Sequence, residues 1–311
     1  MKNLSRKKLF TFICFISINI TFGSIIANAS TSNVSTQSFS SRTSEEDVQQ
    51  DTKKVGQPST KRMMATIKAL SAGSREYGTS DEKKACNYLK KRFQYYGYEP
   101  YLQKEEHLNW DGTEKSEGLN LIAVKKSTEE KSKGVIIICA HYDCSKNSLG
   151  ANDDASGCAV VLETARLLKD MPSDYELRFI LFCGEEKGCL GSLYYAQNLS
   201  ADHAKDIKAV IDIDSIAQKD YVKPKIFTVS GEENTATKLL TSAKENKELK
   251  INKMKRERSD YAVFDHYKMP ALCIGQPYTD KLNINNSKDP ISQIDKSLLV
   301  YVADIIINAL E

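Results

Sequence analysis

The chain has 311 residues, with 44 basic against 41 acidic side chains and a formal charge of +3. Four of the bases and none of the acids lie in the first 29 residues, so the remainder stands near −1 and carries no basic stripe of the kind nucleic acid requires. Eight cysteines, several of them inside apolar runs and none at zinc-ribbon or redox-pair spacing, exclude a disulfide framework as the organising device.

Taken in order, Lys2, Arg6, Lys7 and Lys8 precede a mostly apolar run from Leu9 to Ile26, followed by Ala27, Asn28 and Ala29. That order predicts a secretory signal peptide over 1–29 and a secreted, extracellular product. An uncleaved membrane anchor is the alternative, which polar Thr11, Ser17, Asn19 and Thr21 weaken. Residues 30–58 are rich in Ser, Thr and Gln with no apolar period, which predicts a solvated linker or propeptide. The remaining 59–311 is long enough for one domain with one large core.

From Lys61 a helical period sets in, with Met63, Ile67 and Leu70 on one face. A second helix is announced by Thr79 with Glu82 three residues on, and stops at Gly97. Strands are then predicted over 98–104, 120–125, 134–140, 176–183, 208–214, 225–229 and 271–275. Helices are predicted over 156–169, 191–199, 234–248, 260–267 and 291–310. Apolar strands separated by one-sided helices imply an α/β fold, a mostly parallel sheet with helices on both faces. Its site belongs beyond the carboxyl ends of the strands.

Four groups fall at those ends. His141 and Asp143 close one strand; Asn152, Asp153 and Asp154 sit in the following loop; Glu185 and Glu186 follow the strand ending at Cys183; Asp212 and Asp214 end another. Taken singly, each has a bland explanation: a satisfied core pair, a helix cap, a solvated turn. Jointly they place carboxylates densely enough to repel one another unless a cation sits among them, and an imidazole suits zinc.

HYD, GANDDASG, FCGEEKGCLGS and VIDID, in this order, resemble the co-catalytic zinc aminopeptidases, the secreted bacterial leucyl-type enzymes of peptidase family M28. A weaker likeness begins with LSAGSREYGTS and extends to SQID, covering roughly residues 60 to 311. The resemblance implies a metallo-aminopeptidase acting on peptides with a free N-terminus, working as a monomer with no nucleic-acid partner and no stable membrane span after signal cleavage. It makes Asp153 the carboxylate bridging two metals, His141 and Asp214 the other ligands of one site, and Glu186 a ligand of the second. Asp143 becomes the partner that orients His141, Glu185 the general base, and the Asp153–Asp154 peptide cis.

The chain departs from the family pattern where the last imidazole ligand is expected: NNSKDPISQID places Asn285 there, although Asp289 and Asp295 match. Tyr261 likewise stands where the family segment SDHxxF has its His. His107, His203 and His266 offer no replacement; His107 is read as lying in a polar loop, and the other two precede their strands. With Asn285 as a weak oxygen donor, the expectation is one firm zinc at His141, Asp153 and Asp214 and a second site that is weak or holds another divalent metal. Two alternatives stay open. One is a degenerate member that binds peptide or a partner protein; the other is a single-zinc acyltransferase resembling the glutaminyl cyclases.

Overall fold

The computed structural model describes residues 56–108, 115–254, 259–278 and 289–311, with backbone alone for 106–108 and 115–116. The expected signal peptide, most of the linker and Asn285 lie outside the described residues. Among those described, no helix is long and apolar enough to cross a membrane.

Eight strands form one sheet: β1 (Tyr101–Leu108), β2 (Lys115–Lys125), β3 (Val135–His141), β4 (Glu176–Phe182), β5 (Ile207–Asp214), β6 (Lys225–Thr228), β7 (Ile251–Lys253) and β8 (Ala271–Gly275). Their spatial order is β1-β2-β4-β3-β5-β8-β6-β7. The centre, β4-β3-β5-β8, is parallel, while β2 joins β4, and β6 joins β8, in antiparallel sense. Helices α1 (Thr60–Leu70), α2 (Ser80–Tyr95), α3 (Ala155–Leu168), α4 (Leu190–Gln197), α5 (Ala201–Asp206), α6 (Thr235–Ser242), α7 (Asp260–His266) and α8 (Lys296–Leu310) complete the described elements. This is the α/β architecture the apolar periodicity predicts.

β3 shows why its sequence is a continuous apolar run. Ile136, Ile138 and Ala140 enter the core shared with α1, α2, α3 and α8. Val135, Ile137 and Cys139 enter a second core, which α4 and α7 close through Tyr195 and Phe264. A strand covered on both faces cannot alternate apolar with polar residues. Met63, Ile67 and Leu70 of α1 are buried as their spacing predicts. Helix α3 is not one-sided: Arg166 is the sole residue of Ala155–Leu168 that escapes burial, because α1 and α8 cover the flank facing away from the sheet.

Several boundaries differ from expectation. Strand β1 begins at Tyr101 rather than residue 98, since Tyr98 turns inward, its hydroxyl donating to Ala165 O at 2.7 Å. It runs on to Leu108, so His107 is in a strand paired with Ser116 rather than in a loop. The helix expected over 234–248 ends at Ser242. There Ala243 is extended, and Asn246 donates to Leu240 O and Ile305 O, both at 2.8 Å. The last helix starts at Lys296 rather than residue 291, capped by Asp295, which accepts from Ser297 N at 2.9 Å. Neither β7 nor α5 is signalled by periodicity, because three and six residues are too few to display a period.

Candidate metal centre

Strand register assembles the site. Cys139 of β3 lies opposite Asp212 of β5, so two residues further on His141 comes level with Asp214. His141 itself lies opposite Phe182, the last residue of β4, and Glu185 follows three residues later. The loop from Tyr142 to Asp154 then returns Asp153 over the end of β3. As a result His141 Nε2 is 3.0 Å from Asp153 Oδ1, 3.9 Å from Glu185 Oε2 and 4.0 Å from Asp214 Oδ1. One ligand atom from each of His141, Asp153 and Asp214 lies within 4.8 Å of the others. Two strand ends and the loop before α3 thus bring together the three residues expected to share one metal.

Asp143 ties two of these ends together. Its Oδ1 faces His141 Nδ1 at 3.3 Å and accepts from Glu185 N at 3.1 Å, while Oδ2 accepts from Glu186 N at 3.2 Å. Glu185 and Glu186 occupy a 3-10 turn between Gly184 and Gly188, whose φ of +65° and +102° place the backbone in the left-handed region. Glu186 is not one of the three clustered residues, and its Oε1 is buried with no hydrogen-bond partner among the described residues. The peptide between Asp153 and Asp154 is cis. Asp154 turns away from the cluster and caps α3, Oδ1 accepting from Gly157 N at 2.9 Å and Ser215 N at 3.3 Å. A Cβ at Gly157 would meet Ile213 O at 2.3 Å, so only glycine fits beneath that cap.

Asp212, expected among the acids of this edge, is used elsewhere. Ser259 Oγ and Tyr261 N donate to its Oδ2 at 2.6 and 3.1 Å, anchoring α7 to β5, and burial pushes its carboxyl up to about 7. Asp260, buried beside it, accepts from Ser192 Oγ at 2.5 Å and ties α7 to α4. Tyr261 is fully buried. Cys189 places Sγ 3.7 Å from Glu185 Oε1, and the seven cysteines described are all free thiols. His203 lies on α5 and His266 closes α7, each immediately ahead of a strand and hence at the far end of the sheet.

The electrostatics of the cluster are those of a cation site. Burial, with Glu186 and Asp214 adding repulsion, raises the Asp153 carboxyl well above its ordinary value, and His141 opposes this. Burial likewise raises Glu185, against the pull of His141 and with Asp214, Asp260 and Asp153 reinforcing it. For His141, burial favours the neutral ring, but Glu185, Asp143 and Asp153 outweigh it and push the imidazole well above 6.5. Acids this close cannot all ionise without a positive charge among them. A nitrogen donor with carboxylate oxygens is a donor set that zinc accepts. The orphaned Glu186 Oε1 points the same way.

Two residues with no role assigned by their type or spacing also reach this loop. Arg75, between α1 and α2, is buried against the carbonyls of Tyr142, Leu149 and Gly150. Asp289 accepts from the amides of Asn152 and Asp153. A lone Arg after a helix carries no local signal of burial; the match of Asp289 to the family segment was the available pointer.

Comparison with known proteins finds the pattern of Peptidase family M28 over residues 120–310. Aminopeptidase YwaD of Bacillus subtilis is 30% identical over 214 residues, 67% of this chain and 47% of that protein, so the chain spans about half the length of this curated relative. Among solved structures, an aminopeptidase from Aneurinibacillus sp. strain AM-1 superposes with a TM-score of 0.74 at 22% identity, covering 81% of this chain and 93% of the other. A zinc aminopeptidase from Bacillus subtilis gives 0.71 at 19%, covering 80% and 94%. Glutaminyl cyclase from Porphyromonas gingivalis shares the fold as well, at 0.67 and 21%, covering 81% and 97%.

Proposed function

This chain belongs to Peptidase family M28, and from that premise we propose that it is a secreted metallo-aminopeptidase that removes N-terminal residues from peptides. The observation that carries the reading is the convergence of His141 and Asp214 from two strand ends with Asp153 from the loop before α3, and with Glu185 alongside. Zinc is the metal of the first site, held by those three residues. Glu186 and Asp153 offer oxygen donors to a second, with the Asn285 amide as a weak third. That harder set holds zinc less firmly and admits manganese or magnesium. When bound, the metal supplies Lewis-acid polarisation of the scissile carbonyl and lowers the pKa of water.

The chain's own residues do the rest. Glu185 takes a proton at its carboxylate from the attacking water and delivers it to the leaving amine. Burial suits it to this, because a base whose pKa lies nearer the working pH transfers protons in both directions. Asp143 holds the imidazole of His141 by its Nδ1 edge and fixes the backbone of Glu185 and Glu186, so base and ligand keep one spacing. The concentration of acids favours a substrate with a protonated α-amine, which makes the reaction exopeptidic.

The test is Glu185→Gln assayed on aminoacyl anilides with metal content measured in parallel. The expected result is a rate loss of about 10²–10⁴-fold with metal unchanged. An undiminished rate removes Glu185 from the mechanism. The degenerate-binder reading is motivated by Asn285 and by buried Tyr261 in the place of a family His. It predicts a silent parent protein and an active Asn285→His variant.

A further inference from the structure

The loop carrying Asp153 has no regular secondary structure, yet Ala151, Asn152, Asp153 and Asp154 are all buried. Its peptide groups therefore need partners other than water. On one side lies Arg75, only 1% exposed. Nε donates to Tyr142 O at 2.8 Å, Nη1 to Leu149 O at 2.8 Å and Leu70 O at 3.0 Å, and Nη2 to Gly150 O at 3.0 Å. All three guanidinium nitrogens are spent on backbone carbonyls, and no carboxylate among the described residues forms a salt bridge with it. Gly150 passes so close that a Cβ there would stand 2.7 Å from Nη2.

On the other side lies Asp289, 2% exposed. Its Oδ2 accepts from Asn152 N at 2.8 Å and Asp153 N at 2.9 Å, and its own carbonyl accepts from Ala151 N at 3.2 Å. Residues 149–153 thus run between a buried cation facing carbonyl oxygens and a buried anion facing amide hydrogens. The cation comes from a position 74 residues before Leu149 and the anion from one 136 residues after Asp153.

We infer that Arg75 and Asp289 are paired positioning residues, a two-sided clamp that fixes the backbone at Asp153 so that its carboxylate is presented to the metal together with His141 and Asp214. The physical reason is repulsion. An irregular loop bearing a buried carboxylate beside another can relax away when no cation is present, and charge-assisted hydrogen bonds are strong enough to prevent that. The clamp therefore acts on metal affinity rather than on the chemical step. This rests on the metal-site reading above.

The experiment is zinc affinity by chelator competition, with folding followed by circular dichroism, for the parent, Asp289→Asn and Arg75→Lys. The first keeps size but not charge; the second keeps charge but offers one nitrogen where the guanidinium uses three. Each is expected to stay folded and to bind zinc at least tenfold more weakly. Asn246→Ala is the control: it deletes a buried pair of hydrogen bonds to Leu240 O and Ile305 O, outside the metal loop. It should lower thermal stability while leaving zinc affinity within twofold. Clamp variants that bind zinc within twofold of the parent, or a control that weakens zinc equally, overturn the inference. If Asp289→Asn does not fold, Asp289→Glu, which keeps the charge and displaces it by one methylene, is read by the same criterion. A parent that binds no zinc sinks the metal reading and the clamp together, whereas a zinc-binding parent with unmoved variants sinks the clamp alone.

Discussion

Helix α3 and the loop leading into it are adjacent in sequence and similarly buried, but burial is satisfied in opposite ways. In α3 the backbone pairs with itself, and Val160, Val161, Leu162, Leu167 and Leu168 fill the space between the sheet and its covering helices. Its one buried charge, Glu163, is answered locally by Arg166 and from α1 by Arg62. In the loop before it, backbone groups are satisfied by single side chains from remote parts of the chain, Arg75 and Asp289, and the loop's own Asn152 reaches out, its Oδ1 accepting from Ala217 N at 2.7 Å. The helix is held by many small, interchangeable contacts. The loop is held by few, each of them charged or donor-specific. The first arrangement should yield gradually to mutation without touching the site, and the second should change the site without greatly changing the fold.

Leu162→Ala is the strongest way to press the first half of that contrast. Leu162 is 1% exposed, and its truncation should lower stability by about 2–5 kcal/mol in a urea titration. Zinc affinity of the folded protein should stay within twofold; a tenfold weakening would show that helix and loop are not separable. Asp143→Asn presses the other half. It replaces an acceptor oxygen facing the amides of Glu185 and Glu186 by an amide group that cannot serve both. The expectation is a zinc affinity lower by about 10–100-fold, with thermal unfolding nearly unmoved. Unchanged zinc binding would reduce Asp143 to a loop tether.

Glu82 shows whether a buried acid beyond the metal loop still titrates as a strained group. Burial raises the Glu82 carboxyl to about 8, opposed by a hydrogen bond from Gly78 N at 2.6 Å and reinforced by Asp143. In the unfolded chain it titrates near ~4.3. The folded state therefore prefers the protonated form; the associated stability is fully present below the unfolded pKa and is lost as pH rises through about 8. Glu82→Gln removes that titration. It should gain stability over the parent progressively as pH rises from 5 to 8. Parallel stability curves over that interval would show that Glu82 ionises freely.

The identity of the elements was legible wherever a face had to be apolar. The spacing of Met63, Ile67 and Leu70, the unbroken run Val135 to Ile138 and the capping pair Thr79 and Glu82 each record a local demand of backbone geometry. The acids were legible too, because Glu185 and Asp214 stand at or just past the end of an apolar run and Asp153 stands just before the apolar helix that follows, and a parallel sheet collects such positions at one edge. What the sequence could not disclose was the division of labour within that edge. Asp214 joins the metal cluster while Asp212, two residues earlier on the same strand, anchors α7; Asp153 faces His141 while its neighbour Asp154 caps α3. Nor could it disclose that Arg75 and Asp289 meet the loop from opposite sides. Periodicity is a property of neighbours along the chain, and a one-dimensional pattern can carry it. Which polar group satisfies which buried partner depends on register, twist and packing across more than a hundred residues, and only the folded chain determines that.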